Sequence, residues 1–453
     1  MTGAPRADHG RPDMKNETGS LVEHLIAIRG DEAACRAQLD AAAARAAQVE
    51  PWLHAFAYRP AQIAPGGEAA LPLAGLPVGV KDLVDTADMP TTYGSAVWRD
   101  HRPTADAAIV ARIRDAGGVV FGKTVSTEFA WRHPGPTVNP WNPAHTPGGS
   151  SSGSAAAVAA GIVPLAIGTQ TVGSVIRPAA FCGVVGYKPS FGKVPREGVH
   201  PFAPSLDHVG FFARSVAGAA LAHALFVDAR ADAIDTPAAW SAYFSARRPP
   251  GKLGVLRTPF DERITDAQRR NFAASLERLR AAGATLVEVA PDVDLARAVD
   301  ALHVILRVEA LRAIGPVAET RRDLVSATMH ALLDEGAALT DAQYRDALAL
   351  QARLRGAPAA LMAGCDALLT VPATGAAPAG LDDTGDATFC APWSFIGTPA
   401  VTVPSGWTDA NLPLGFQVVG APGADLSTLQ TAAWVESVIG AQRPAAEVGA
   451  MQR

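Results

Sequence analysis

The chain has 453 residues, 48% of them hydrophobic, and a formal net charge of −5. That is ample material for a sizeable core, and the length admits either two domains or one large α/β domain. The mild acidic balance argues against a nucleic-acid surface. Cys35, Cys182, Cys365 and Cys390 are widely spaced with no CxxC pair, which argues against a disulfide scaffold and for free thiols in a reducing compartment.

Residues 1–18 are polar, lack the apolar core of a signal peptide and read as a disordered segment. Residues 20–48 read as two helices split at Gly30-Asp31, with Leu21, Leu25 and Ile28 on one stripe. Leu76–Val80 is a short apolar strand ending at Lys81-Asp82. A helix over Ala105–Ala116 stops at Gly117-Gly118, and Val119–Phe121 is a β-branched, aromatic strand. Residues 131–149 are loop. An Ala/Val run, Ala155–Ala160, has helical character and Val163–Ile167 strand character; the whole apolar stretch is too short to cross a membrane and contains Gly161 and Pro164. A soluble, cytoplasmic protein is expected.

Gly183–Tyr187 is a further strand, residues 189–208 a long Pro/Gly loop, and Val216–Val227 a helix. Residues 228–250 are polar and Pro-containing, a candidate internal boundary. A strand–helix–strand unit follows: Leu253–Leu256, a helix opened by a Thr265/Gln268 capping box and closed at Gly283, then Leu286–Val289, which should pair in parallel. Residues 294–363 are mostly helical, with a second capping box at Thr340/Gln343. Leu368–Val371, Ala400–Pro404 and Leu414–Val419 are strands, and 424–438 a final helix. Alternating strands and helices argue for an α/β fold with a largely parallel sheet.

Two hydroxyl-rich loops, residues 148–154 and 168–174, flank the Ala/Val stretch. A helix and strand of that size can return the second loop to the first, bringing Ser150 and Ser174 into one site. Glycines let backbone N–H groups approach a ligand closely, so a serine among them is a candidate nucleophile beside an oxyanion hole. Ser151, Ser152 and Ser154 are expected to cap the following helix and bond within the loop.

Three pattern matches mislead. GGVVFGKT (117–124) fits a Walker A loop, but its interior is itself a strand. Gly149–Gly153 fits G-x-S-x-G, but a loop rather than a strand precedes the serine, and His200 and His208 lie in no recognisable motif. Ser190–Lys193 fits S-x-x-K, but Pro189 and Gly192 oppose the helix turn it needs. The scattered histidines show no metal-ligand spacing, so neither a metal nor a cofactor is expected.

A serine nucleophile needs a base. Lysine occurs at six positions, and Lys81 ends an apolar strand where burial could lower its pKa. On spacing alone, Lys81 paired with Asp82 or Asp85 is the preferred reading.

Several long stretches carry a resemblance: GVKDLVDTADMPTTYGS (79–95), GKTVSTEFA (122–130), NPWNPAHTPGGSSSGSAAAVAAG (139–161), GTQTVGSVIRPAAFCGVVGYKPS (168–190) and LPLGFQVVGAPGAD (412–425). In this order they resemble the amidase signature hydrolases over about residues 20–440. The resemblance implies one large α/β domain over 19–453 with a mixed, mainly parallel central sheet covered by helices, and a Ser–cisSer–Lys triad. Ser174 matches the nucleophile, Ser150 the bridging serine after a cis peptide bond, and Lys81 the base. The backbone N–H groups of Thr171, Val172, Gly173 and Ser174 match the oxyanion hole.

The commoner family loop reads GTDTGGS-I-R; here Gln170 replaces Asp, Val172 replaces Gly, and the arginine stands one place on, at Arg177. This resembles the malonamidase-type branch, in which the arginine holds a substrate carboxylate. Gln170 and Arg177 are therefore candidate substrate-binding residues, although Arg177 could equally brace the loop. The expected activity is hydrolysis of a small amide, one carrying a carboxylate on the Arg177 reading, with release of ammonia or an amine. The expected partners are that substrate, no nucleic acid and no membrane, with room for a homodimer. The alternative is the A-type subunit of a tRNA-dependent glutamine amidotransferase working with partner subunits, which the Asp-to-Gln change argues against.

Overall fold

The computed structural model describes residues 21–63, 69–245, 249–290 and 293–449; the segment 1–18 lies outside them. One sheet of eleven strands runs through the molecule: β1 (Phe56–Tyr58), β2 (Pro77–Lys81), β3 (Val119–Thr124), β4 (Leu165–Gln170), β5 (Val185–Lys188), β6 (His208–Ala213), β7 (Lys252–Leu256), β8 (Thr285–Val289), β9 (Ala367–Thr370), β10 (Ala400–Trp407) and β11 (Pro413–Val419). Their spatial order is β1-β3-β2-β4-β6-β5-β10-β11-β9-β7-β8.

Strand alternation explains how the sheet is covered. In β2 and β4, Val78, Val80, Leu165 and Ile167 point to one face, under the helices Ala108–Asp115, Val216–Phe226, Asp266–Ala281 and Asp425–Ile439. Ala166 and Phe212 point to the other face, against the helices Ser152–Ala159 and Ile176–Cys182. A third apolar cluster joins the long helix Leu295–Thr320 to Ala327–Ala337, Asp341–Arg355 and Ala391–Ile396. A sheet buried on both faces requires near-continuous apolar strands, and β2, β3, β4 and β6 are buried at every position. No described helix is long and apolar enough to cross a membrane.

The sheet is mixed, as expected, but less parallel. Among the described residues six of the ten strand pairings are antiparallel, and four, β2–β3, β2–β4, β7–β8 and β7–β9, are parallel. Part of the difference lies in β6, which falls where a loop was expected to end. Its Phe211-Phe212 pair packs on both faces and pairs antiparallel with β4 and β5. The helix Ile176–Cys182 also lies where only a loop and strand were expected. Pro178 sits in its first turn, where a missing N–H is tolerated, and Gly183 at φ +69° ends it.

The described part of 228–250 marks no domain boundary. They include the helix Pro237–Tyr243, and β7 beyond them pairs in parallel with β9 within the same sheet. The Thr340/Gln343 capping box is complete. At Thr265 only half forms: the hydroxyl accepts from Gln268 N at 3.5 Å, while the Gln268 side chain donates to Gly415 O at 2.8 Å.

β3 runs through Gly122-Lys123-Thr124, so the Walker-like stretch is a buried strand. Lys123 Nζ donates to Val84 O (2.6 Å) and Thr91 Oγ1 (2.5 Å) and lies 3.6 Å from Asp82, so it ties adjacent segments together.

The Gly/Ser loop enters the helix Ser152–Ala159 through a tight gap. A Cβ on Gly153 would lie 2.1 Å from Ala55 O and 2.4 Å from Val125 N, both backbone atoms that cannot swing aside. Gly153→Ala is therefore expected to destabilise the fold by about 2–3 kcal/mol, read as a lower midpoint in denaturant unfolding.

Candidate active site

The parallel strands β3, β2 and β4 lie side by side, and the chain crosses from one flank of β2 to the other between β3 and β4. The carboxyl ends of strands at such a reversal are the usual place for a ligand in an α/β sheet. Lys81 is the last residue of β2, and the register Val80↔Ile167 sets it beside the end of β4. Its Nζ, wholly buried, lies 2.7 Å from Ser150 Oγ and 2.8 Å from Thr169 Oγ1. Burial pushes the amine well below the ordinary lysine range, and the charge of Asp207 pulls it part of the way back. Lys81 pairs with neither Asp82 nor Asp85: Asp82 accepts from Thr92 N and lies near Lys123, and Asp85 accepts from Tyr93 Oη at 2.8 Å.

Ser150 follows a cis Gly149–Ser150 peptide bond. Gly148 before it holds φ +79°, and a Cβ there would meet Pro178 Cα at 2.9 Å, so the loop seats directly on the helix Ile176–Cys182. Ser150 and Ser174 line one cavity of about 270 Å³, together with Thr171, Val172 and Gly173. The N–H groups of Thr171, Val172, Gly173 and Ser174 donate to no turn, loop or side-chain acceptor among the described residues. They are free for an oxygen that develops negative charge. Thr171 is held by its hydroxyl, which donates to Asp207 Oδ1 at 2.6 Å.

Gln170 stands outside the cavity lining, in contrast to the substrate-binding role expected of it. Its Oε1 accepts from Val175 N (2.8 Å) and Ile176 N (3.0 Å), and its Nε2 donates to Ser394 Oγ (3.0 Å). It thus satisfies amides at the start of the helix Ile176–Cys182 and fixes the loop carrying Ser174. Arg177 does line the cavity, but its terminal nitrogens donate to Gly149 O (2.7 Å), Thr384 Oγ1 (3.0 Å) and Gly385 O (2.8 Å). Burial lowers its pKa to about 10, which leaves it charged near neutrality.

The neighbouring serines do not cap the helix. Ser151 Oγ donates to Thr169 O (3.2 Å), Ser152 Oγ to Val125 O (3.3 Å) and Ser154 Oγ to Ile167 O (2.9 Å), so the three fasten the loop to segments near β3 and β4. His208 Nδ1 bonds the carbonyl of Leu206 at 2.6 Å, and Ser190 Oγ donates to Asp425 Oδ2 at 2.6 Å, so both are engaged in structural contacts away from the Gly/Ser loop serines. Sequence reading passed over Thr169, although a polar residue near the end of a buried strand was a usable signal. It also passed over Arg132, Arg263 and His303, which line the cavity from remote segments with no motif to mark them.

The family model named Amidase matches residues 33–429. The A subunit of glutamyl-tRNA(Gln) amidotransferase from Synechococcus sp. (strain WH7803) is 35% identical over 460 residues, covering 88% of this chain and 93% of that protein. A solved amidase superposes with a TM-score of 0.79 at 31% identity, covering 92% of this chain and 99% of that one. The corresponding A subunit from Thermotoga maritima superposes at 0.75 with 29% identity, covering 92% and 94%. The likeness thus runs to amidotransferase A subunits, where the loop pattern had pointed to the malonamidase-type branch. It also corrects the expectation of a chain working without nucleic acid and with at most a second copy of itself, because these relatives are subunits of an enzyme of glutamyl-tRNA(Gln). With the matched model spanning most of its length, the chain belongs to the amidase family and is an enzyme of C–N amide bonds.

Proposed function

We propose that this chain is the amide-hydrolysing A-type subunit of an amidotransferase, freeing ammonia from a small amide that carries a carboxylate, such as glutamine. The observation that carries the chemistry is Lys81, buried with two hydroxyl oxygens and no carboxylate in contact. In its neutral form the amine accepts the Ser150 proton while donating to Thr169. Ser150 accepts the proton of Ser174, and Ser174 attacks the carbonyl carbon. The N–H groups of Thr171–Ser174 receive the oxyanion. The proton returns through Ser150 to the leaving nitrogen, and water then releases the acyl group from Ser174. No described group of three or more His, Cys, Asp or Glu side chains forms a metal site, and no step calls on one.

Relatives that are amidotransferase A subunits support the assembly. The Asp-to-Gln difference loses its force as a counter-argument, since Gln170 Oε1 accepts the two backbone N–H groups that a carboxylate at this place could accept. A free-standing amidase is the second reading, favoured by the solved amidase with its TM-score of 0.79. The two separate in one reconstitution: this chain replaces the A subunit of the Synechococcus amidotransferase, and conversion of Glu-tRNA(Gln) to Gln-tRNA(Gln) is followed beside free ammonia. Ammonia without tRNA product rejects the amidotransferase reading.

Ser174→Ala is expected to lower ammonia release from L-glutamine by at least about a thousandfold. Because the working base is unprotonated Lys81, kcat/KM should rise with pH as the amine loses its proton and collapse on the acid side, with a midpoint below the ordinary lysine value. A profile flat through the acid range rules Lys81 out as the base. Gln170→Ala orphans two buried N–H groups and is expected to cost about 2 kcal/mol in thermal or denaturant unfolding, with Gln170→Asp recovering part of it.

A further inference from the structure

A substrate carboxylate needs a cation whose donors are not already spent. Three guanidinium groups line the cavity: Arg132, Arg177 and Arg263. Arg177 uses both terminal nitrogens on Gly149 O, Thr384 Oγ1 and Gly385 O, which leaves its buried Nε as the one nitrogen without a partner among the described residues. Arg263 pairs with Asp386 at 2.5 Å and donates to Thr388 Oγ1 at 2.6 Å. Arg132 makes no hydrogen bond or ion pair among the described residues; its guanidinium lies 5.3 Å from the centre of the Trp131 ring.

A second polar group without a partner lines the same cavity. Val299 and His303 are four residues apart on the helix Leu295–Thr320 and both reach the lining, as residues on one helix face do. His303 makes no hydrogen bond among the described residues. Burial first, then the charges of Arg307 and Arg132, push its imidazole down to about 4, so near neutrality it is uncharged with one N–H to donate. Arg132 is close enough to act on His303 through its charge. Neither residue makes a hydrogen bond to Lys81, Ser150, Ser174 or the Gly/Ser loops among the described residues.

We propose that Arg132 and His303 form the subsite that holds the substrate's carboxylate, Arg132 by an ion pair and His303 by a neutral N–H, at the opposite end of a small molecule from the carbonyl presented to Ser174. This rests on the reading of Ser174 as nucleophile and deepens it. It also moves carboxylate recognition away from Arg177, whose terminal donors serve the protein itself.

The test has two arms. In the first, glutarate binding to the Ser174→Ala chain is measured by titration calorimetry, alone and with Arg132→Ala, Arg132→Lys or His303→Ala added. Arg132→Ala is expected to weaken glutarate at least about tenfold, His303→Ala by about three- to tenfold, and Arg132→Lys to recover part of the loss. Unchanged glutarate affinity in both alanine variants overturns the subsite. In the second arm, with Ser174 present, kcat/KM is compared for glutaramate and for butyramide, its neutral counterpart. The ratio of the two should fall at least about tenfold in Arg132→Ala. An equal loss on both amides also overturns the subsite and leaves the nucleophile reading intact. Ammonia from neither amide, with L-glutamine also unhydrolysed in the reconstituted assembly and glutarate binding still dependent on Arg132, rejects the hydrolase reading and supports the subsite. Arg132 is exposed, so its replacement is not expected to threaten the fold.

Discussion

The interaction on which the site depends is a lysine amine removed from water without a carboxylate in contact. Among the described residues Lys81 Nζ has the hydroxyls of Ser150 and Thr169 as its hydrogen-bond partners, with the charge of Asp207 acting from further off. An ammonium in such a place is poorly compensated, and the amine answers by giving up its proton far more readily than in solution. For this to occur, β2 must be covered on both faces and flanked by parallel neighbours, and the Gly/Ser loop must return over its end. The interleaving of β3, β2 and β4, with the helix Ser152–Ala159 entering between β3 and β4 in the chain, provides that enclosure.

Around the lysine, the loops are fixed mainly through backbone atoms. Arg177 bridges Gly149 O on one loop to Gly385 O on another segment, and Ser394 Oγ donates to Val172 O while receiving Gln170 Nε2. A backbone carbonyl has no rotamer to lose, so each such bond restricts the loop at little entropic cost. Among the described residues the N–H groups of Thr171–Ser174 have no acceptor, while their neighbours are held by other contacts.

Much of this was legible in the residues. Apolar periodicity and turn residues located most strands and helices to within a few positions, and the two Gly/Ser loops with Lys81 stood out by composition and motif. What escaped has identifiable causes. β6 is a central strand beginning at His208, and its preceding Pro/Gly run masked where the loop stops. The helix Ile176–Cys182 is only two turns long and contains Pro178, so periodicity had nothing to work on. For Gln170 and Arg177, which way their donors and acceptors turn depends on Ser394, Thr384 and Gly385, all more than two hundred residues away. Arg132 and His303 line the same cavity only through tertiary packing, and a lone Arg or His in a helix or loop carries no pattern.

The bridge made by Arg177 has a consequence for how this enzyme can diversify. The segment around Thr384–Asp386 forms part of the cavity wall and is bolted through a single guanidinium to the loop bearing Ser150. That stretch and the loop bearing Ser150 therefore share one side chain as their hydrogen-bonding partner. The helix Leu295–Thr320 has no such tie to the Gly/Ser loops among its described hydrogen bonds, yet Val299 and His303 face the same space. The cavity therefore has one wall hydrogen-bonded to the loop bearing Ser150 and, among the described residues, one wall that is not. A lineage could exchange one substrate for another along the second without retuning the chemistry of the first.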